Sequence, residues 1–101
     1  MTSQPYTLAL WTVKPGMEKQ FIEEWNKFAT WSAQHQPGAF KPSLLHSVEH
    51  PLQFVSFGGW EDVEKIKTWR SLPEFSAFVE RAKKLCDNFT PGMYSLTATS
   101  P

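Results

Sequence analysis

The chain has 101 residues, and its ten Lys plus Arg are balanced by ten Asp plus Glu, so no net field favours nucleic acid or an anionic membrane. That length is one small domain, 1–101, with modest capacity to bury a core of its own. Cys86 is the only cysteine, which excludes an internal disulfide and any cysteine-based metal cluster.

In chain order, Met1-Thr2-Ser3-Gln4-Pro5 has no basic region or apolar run of the kind a secretory signal needs, and no later apolar run approaches a membrane span. A soluble, cytoplasmic protein is expected. Tyr6 to Lys14 alternates as a strand, and Pro15-Gly16 stops it. A helix follows from Met17 to Gln34, with Phe21, Ile22, Trp25, Phe28, Ala29 and Ser32 on one face. Gln36-Pro37-Gly38 ends it.

Phe40 to Val48 reads as a second strand, Glu49-His50-Pro51 as a turn, and Gln53 to Trp60 as a third strand, so the two strands form a hairpin. Gly58-Gly59 inside the third strand signals a bulge or a close backbone approach. Asp62 suits the N-cap of a short helix over Val63 to Arg70. Pro73 opens another helix, whose stripe is Phe75, Phe78, Val79, Ala82 and Cys86. Beyond Pro91-Gly92, Met93 to Thr99 alternates as the last strand.

The order is β-α-β-β-α-β, an α+β ferredoxin-like arrangement with its second helical segment broken at Leu72-Pro73. Such a sheet carries its helices on one face, and its other face should be polar if water covers it. Here both faces are apolar: Leu8 and Leu10 oppose Ala9, Trp11 and Val13, and Val55 and Phe57 oppose Phe54 and Trp60. A second copy packed sheet to sheet across a two-fold axis is the economical cover. Aromatic residues make up 15% of the chain, and most are expected in the core, some around a pocket.

Lys14-Pro15-Gly16 after a strand, Phe21-Ile22-Glu23-Glu24-Trp25 on a helix, Pro37-Gly38, Phe57-Gly58-Gly59-Trp60-Glu61, Thr68-Trp69-Arg70 and Pro73-Glu74-Phe75 follow in an order that resembles the antibiotic biosynthesis monooxygenase domain. The resemblance spans nearly the whole chain, although no single piece is specific. It implies a ferredoxin-like fold paired into a dimeric α/β barrel. It also implies oxygenation of a small aromatic or quinol-like substrate with no cofactor or metal, or, in one branch, haem degradation.

The haem-degrading pattern needs an Asn, a Trp and an iron-ligating His at positions that hold Ala9, Trp69 and Val79 here, which counts against haem. The phenol-oxidising pattern is met by Trp60, has Ser56 where an Asn is usual, places Arg81 within one residue of its Arg, and has Ile66 in place of its Tyr. From these matches and from His46 in mid-strand, Ser56, His46 and Arg81 are the candidate polar groups for orienting or deprotonating a substrate. Trp60, Trp69, Phe75 and Trp25 are the candidate walls. Each residue also has a plainer role: core rings for the tryptophans, solvated or ion-paired surface for Arg70 and Arg81, and a hydrogen-bonded structural imidazole for His46. A dimeric barrel that binds a small ligand without catalysis, or serves in stress, is the rival reading. His, Asp and Glu show no metal-site spacing.

Overall fold

The computed structural model describes residues 4–101, so Met1 to Ser3 of the N-terminal reading lie outside the described residues. Its elements are β1 (Pro5–Val13), α1 (Glu18–His35), β2 (Ser43–His46), β3 (Gln53–Gly59), α2 (Val63–Arg70), α3 (Pro73–Leu85) and β4 (Cys86–Ser95). The strands form one antiparallel sheet in the order β2-β3-β1-β4, the ferredoxin-like topology.

Alternation along the strands assigns the two faces. Ala9, Trp11 and Val13 of β1 pair in register with Ser56 and Phe54 of β3 and with Pro91, Phe89 and Cys86 of β4, all on the helix-covered face. Trp11 packs edge-on to Phe78 of α3 at 6.0 Å and meets Phe21 of α1 at 5.1 Å. Phe21 and Val13 are fully buried, and Phe54 is 1% exposed. Burying each such side chain contributes about 1.5–3 kcal/mol, so this seam holds the helices to the sheet. The stripe on α1 is as the periodicity predicts, and Ser32 is buried within it.

Local chemistry sets the element ends. Gly16 takes φ +84° in the turn after β1, a conformation other residues adopt only with strain. Asp62 caps α2 by accepting a hydrogen bond from the Lys65 backbone N–H at 2.9 Å, and Pro73 stands at the start of α3, where no intrahelical donor is lost.

Two expectations are corrected, and one pair of alternatives is resolved. The last strand starts at Cys86 and runs through Pro91-Gly92 instead of starting at Met93. Proline is tolerated there because β4 is an edge strand, bonded only to β1. The second strand shrinks to Ser43–His46, since Pro42 has no N–H for the ladder; only Ala39 keeps an isolated bridge, to Trp60. Gly58-Gly59 makes no bulge, because the β1–β3 register continues unbroken through both residues. The register shift lies instead between Thr12 and Val13, against β4. Gly58 marks a close approach: a Cβ there would stand 3.1 Å from Cβ of Pro42.

No described helix is long and apolar enough to cross a membrane. The face opposite the helices carries Leu10 at 50% exposure, Leu45 at 54% and Tyr94 at 56%, with half-buried Leu8, Val55 and Phe57 between them.

Candidate active site

Between the helix-covered face of the sheet and α1, α2 and α3 lies a cavity of about 80 Å³. That is room for several water molecules. Its floor is strand: Thr7, Ala9 and Trp11 of β1, and Ser56 of β3. Its walls are aromatic, with Trp25 and Phe28 from α1, Trp60 after β3, Trp69 from α2 and Phe75 from α3. Phe40 and Ala33 also line it and are exposed, which marks the side open to solvent.

The aromatic walls brace one another. Trp60 and Trp69 lie 5.0 Å apart, centroid to centroid, and Trp69 meets Phe75 edge to face at 4.7 Å and 74°. Phe28 stacks on Phe78 at 4.4 Å. Such contacts fix ring planes as well as exclude water.

Three indole N–H groups donate to hydroxyls of the same cavity. Trp11 Nε1 donates to Ser56 Oγ at 2.9 Å, Trp69 Nε1 to Ser32 Oγ at 2.9 Å, and Trp60 Nε1 to Thr7 Oγ1 at 3.3 Å. Each bond satisfies a donor that would otherwise be stranded against apolar surface. None of the three hydroxyl protons has an acceptor among the described residues, so each is available to a bound molecule.

The cavity therefore gathers Ser56, Trp25, Trp60, Trp69 and Phe75 of the sequence-derived candidates, and leaves out His46 and Arg81. The expectation that these two face it is corrected. His46 sits on short edge strand β2, stacked on Phe54 at 4.2 Å, and its Nε2 lies 2.6 Å from the Pro51 carbonyl oxygen. That position is exposed: in register with Phe54 it lies on the helix-covered side, but at the end of the edge strand beside the β2–β3 turn, outside the cavity. Arg81 points off α3 toward α1, where its Nε donates to Glu24 Oε2 at 2.9 Å in a half-exposed ion pair.

Arg70 takes the place within the cavity that Arg81 does not. The last residue of α2 and half-buried, it is the only ionisable side chain among those lining the space, and it forms no ion pair among the described residues. Sequence reasoning passed it over because an arginine on a helix rich in Glu and Lys reads as a solvated or ion-paired surface group. Ser32 and Thr7 were passed over as well. A serine on an otherwise apolar helix stripe was the available signal, since a buried hydroxyl must find a partner.

Ala9 and Val79 also line the cavity, so the positions where haem chemistry needs an amide and an imidazole present only methyl groups; no histidine lines the space. Among the described residues, no three His, Cys, Asp or Glu side chains lie together as a metal site would require. Cys86 is buried at the α3–β4 junction, and its burial, with Asp87 beside it, pushes the thiol up to about 11. It is unionised at neutral pH and does not line the cavity.

No curated protein matches the chain. Among solved structures it is similar to SnoaB, a cofactor-independent oxygenase from Streptomyces nogalater, with 20% identity over 98% of both chains and a TM-score of 0.87. It is similar too to a protein from Pseudomonas aeruginosa (17% identity, 97% and 98% covered, TM-score 0.80) and to a conserved protein from Methanosarcina mazei Go1 (13% identity, 95% of each chain, TM-score 0.83). At such identities the likeness is one of fold. The sequence carries the assignment further: the profile described as "Antibiotic biosynthesis monooxygenase" matches residues 6–81, about three quarters of the chain, and takes in the strand floor and every aromatic wall named above. The chain belongs to the antibiotic biosynthesis monooxygenase family.

Proposed function

We propose that this protein is a cofactor-independent monooxygenase acting on a small aromatic or quinol-like substrate, and that it works as a cytoplasmic homodimer of single-domain chains. The observation that carries this reading is the cavity: flat aromatic walls suited to a ring system, with hydroxyl donors and one cation placed to hold its oxygens.

The chemistry asks little of the protein. An anthrone-like substrate that has lost a ring-CH₂ proton is electron-rich enough to reduce dioxygen directly. One oxygen atom enters the carbon as a ketone and the other leaves as water; the carbon gives up four electrons and dioxygen accepts four. A dry, pre-arranged site accelerates this by holding the carbanion planar and stabilising charge on its oxygen. Ser56 and Ser32 supply O–H donors and Arg70 supplies positive charge. Trp60, Trp69 and Phe75 orient the rings.

No carboxylate, imidazole or lysine lines the cavity, and this favours a second reading, a ligand-binding barrel without catalysis. One experiment separates the two. Oxygen uptake is followed with a panel of anthrones and quinols, with ligand binding measured in parallel by tryptophan fluorescence. The oxygenase reading expects uptake well above buffer for at least one compound, one quinone formed per dioxygen consumed. Binding with uptake at the buffer rate across the panel would establish the binding barrel instead.

A further inference from the structure

We infer that the cavity selects its ligand in the anionic form, and that Arg70 is the residue that reads the charge. The inference deepens the reading of this cavity as the substrate site and rests on it.

Every polar feature of the lining points the same way. Arg70 is the sole ionisable side chain, and no ion pair among the described residues neutralises it. The hydroxyls of Ser32, Ser56 and Thr7 each accept from an indole N–H, which engages one lone pair and leaves the proton as the group in need of a partner. Guanidinium and hydroxyl protons together make a donor set suited to a ligand oxygen, and the Arg70 charge repels a protonated amine. Because the remaining walls are aromatic and aliphatic, they carry no counter-charge, and an oxyanion gains more there than in open water.

The absence of a lining base gives the same conclusion from the other side. No side chain lining the cavity can take a proton at neutral pH, so a substrate that reacts as its anion must lose its proton to solvent and enter already charged. Arg81, within one residue of the arginine position that the resemblance implies, is tied to Glu24, and Arg70 supplies the charge from the end of α2.

The test uses two probes that share one ring system: 2-hydroxy-1,4-naphthoquinone, a vinylogous acid that is anionic at neutral pH, and its neutral 2-methoxy ether. Binding of each to the full chain is measured by quenching of tryptophan fluorescence. The native protein is expected to bind the anion about ten- to a hundredfold more tightly. Arg70→Gln should bring the two affinities together, Arg70→Lys should keep part of the preference, and Arg81→Gln should leave it whole. Equal affinities in the native protein, binding of neither probe, or a preference that survives in a folded Arg70→Gln would overturn the inference. Oxygen plays no part in this readout, so a protein that prefers the anion but consumes no oxygen would sink the oxygenase reading and leave this one standing.

Discussion

An indole N–H enclosed by hydrocarbon needs an acceptor, and Trp11, only 4% exposed, has Ser56 Oγ at 2.9 Å. Ser56→Ala removes the acceptor without removing the donor, which should cost about 1–3 kcal/mol of stability. Replacing the partner too, in Ser56→Ala/Trp11→Phe, should cost about 1 kcal/mol less than the two single losses added together. Urea midpoints of the four proteins measure this, and strict additivity would show that the bond contributes nothing. At this scale the sequence was legible wherever a residue's own strand or helix stripe decided its direction. Ser56 and Trp60 follow from β3, and Trp25 follows from the α1 stripe. Arg81 was misplaced because its direction is decided by a distant partner, the Glu24 carboxylate, and His46 because it ends a short edge strand beside the turn, where its imidazole meets the Pro51 carbonyl instead of the cavity. Arg70 was missed for the same reason in reverse: nothing near it in sequence distinguishes a cavity wall from a helix end.

The elements fit together through one tight contact beside the cavity. Gly58 of β3 lies under the Pro42 segment that leads into β2, and a side chain at Gly58 would meet Pro42 Cβ at 3.1 Å and Cα at 3.3 Å. Both residues also line the cavity, so the contact sets the distance between its strand floor and the Pro42 segment. Gly58→Val cannot relax by swinging a flexible side chain, because the obstacle is a proline and its backbone. Overpacking of this kind costs about 1–3 kcal/mol, and it should also weaken ligand binding by displacing Pro42 and its neighbour Phe40. A thermal melt and a ligand titration of Gly58→Val check both effects; an unchanged melting temperature would mean that the segment moves aside freely. The paired glycines were conspicuous in the sequence, but their purpose was not. A bulge and a close approach leave the same residue signature, and only the unbroken β1–β3 register tells them apart. Pro91-Gly92 misled in the same way, because whether such a pair ends a strand depends on the strand's being at an edge.

For the whole molecule, the open face of the sheet poses the remaining question of cover. The helices all pack on one side, while Leu8, Leu10, Val55, Phe57 and Leu45 form a contiguous apolar surface on the other. A second sheet of the same kind would bury it, and the two-sided alternation already visible in β1 and β3 called for such a cover. Leu10 is the residue to probe. It sits on β1, an interior strand, paired with Val55 on one side and Thr90 on the other, so any face-to-face partner must cover it. A carboxylate there would lose its water without gaining a counter-charge, at a cost of several kcal/mol across the interface, while the half-exposed position tolerates it in a lone chain. Sedimentation equilibrium should give twice the chain mass for the native protein and a single chain mass for Leu10→Glu, with circular dichroism unchanged. A native protein that sediments as a monomer at all concentrations would dispose of the homodimer. Leu10 does not line the cavity, which a single chain forms between its own sheet and helices. The Leu10→Glu monomer should therefore still bind the anionic naphthoquinone, and a variant that is monomeric, folded and unable to bind it would show that the partner's sheet completes the site.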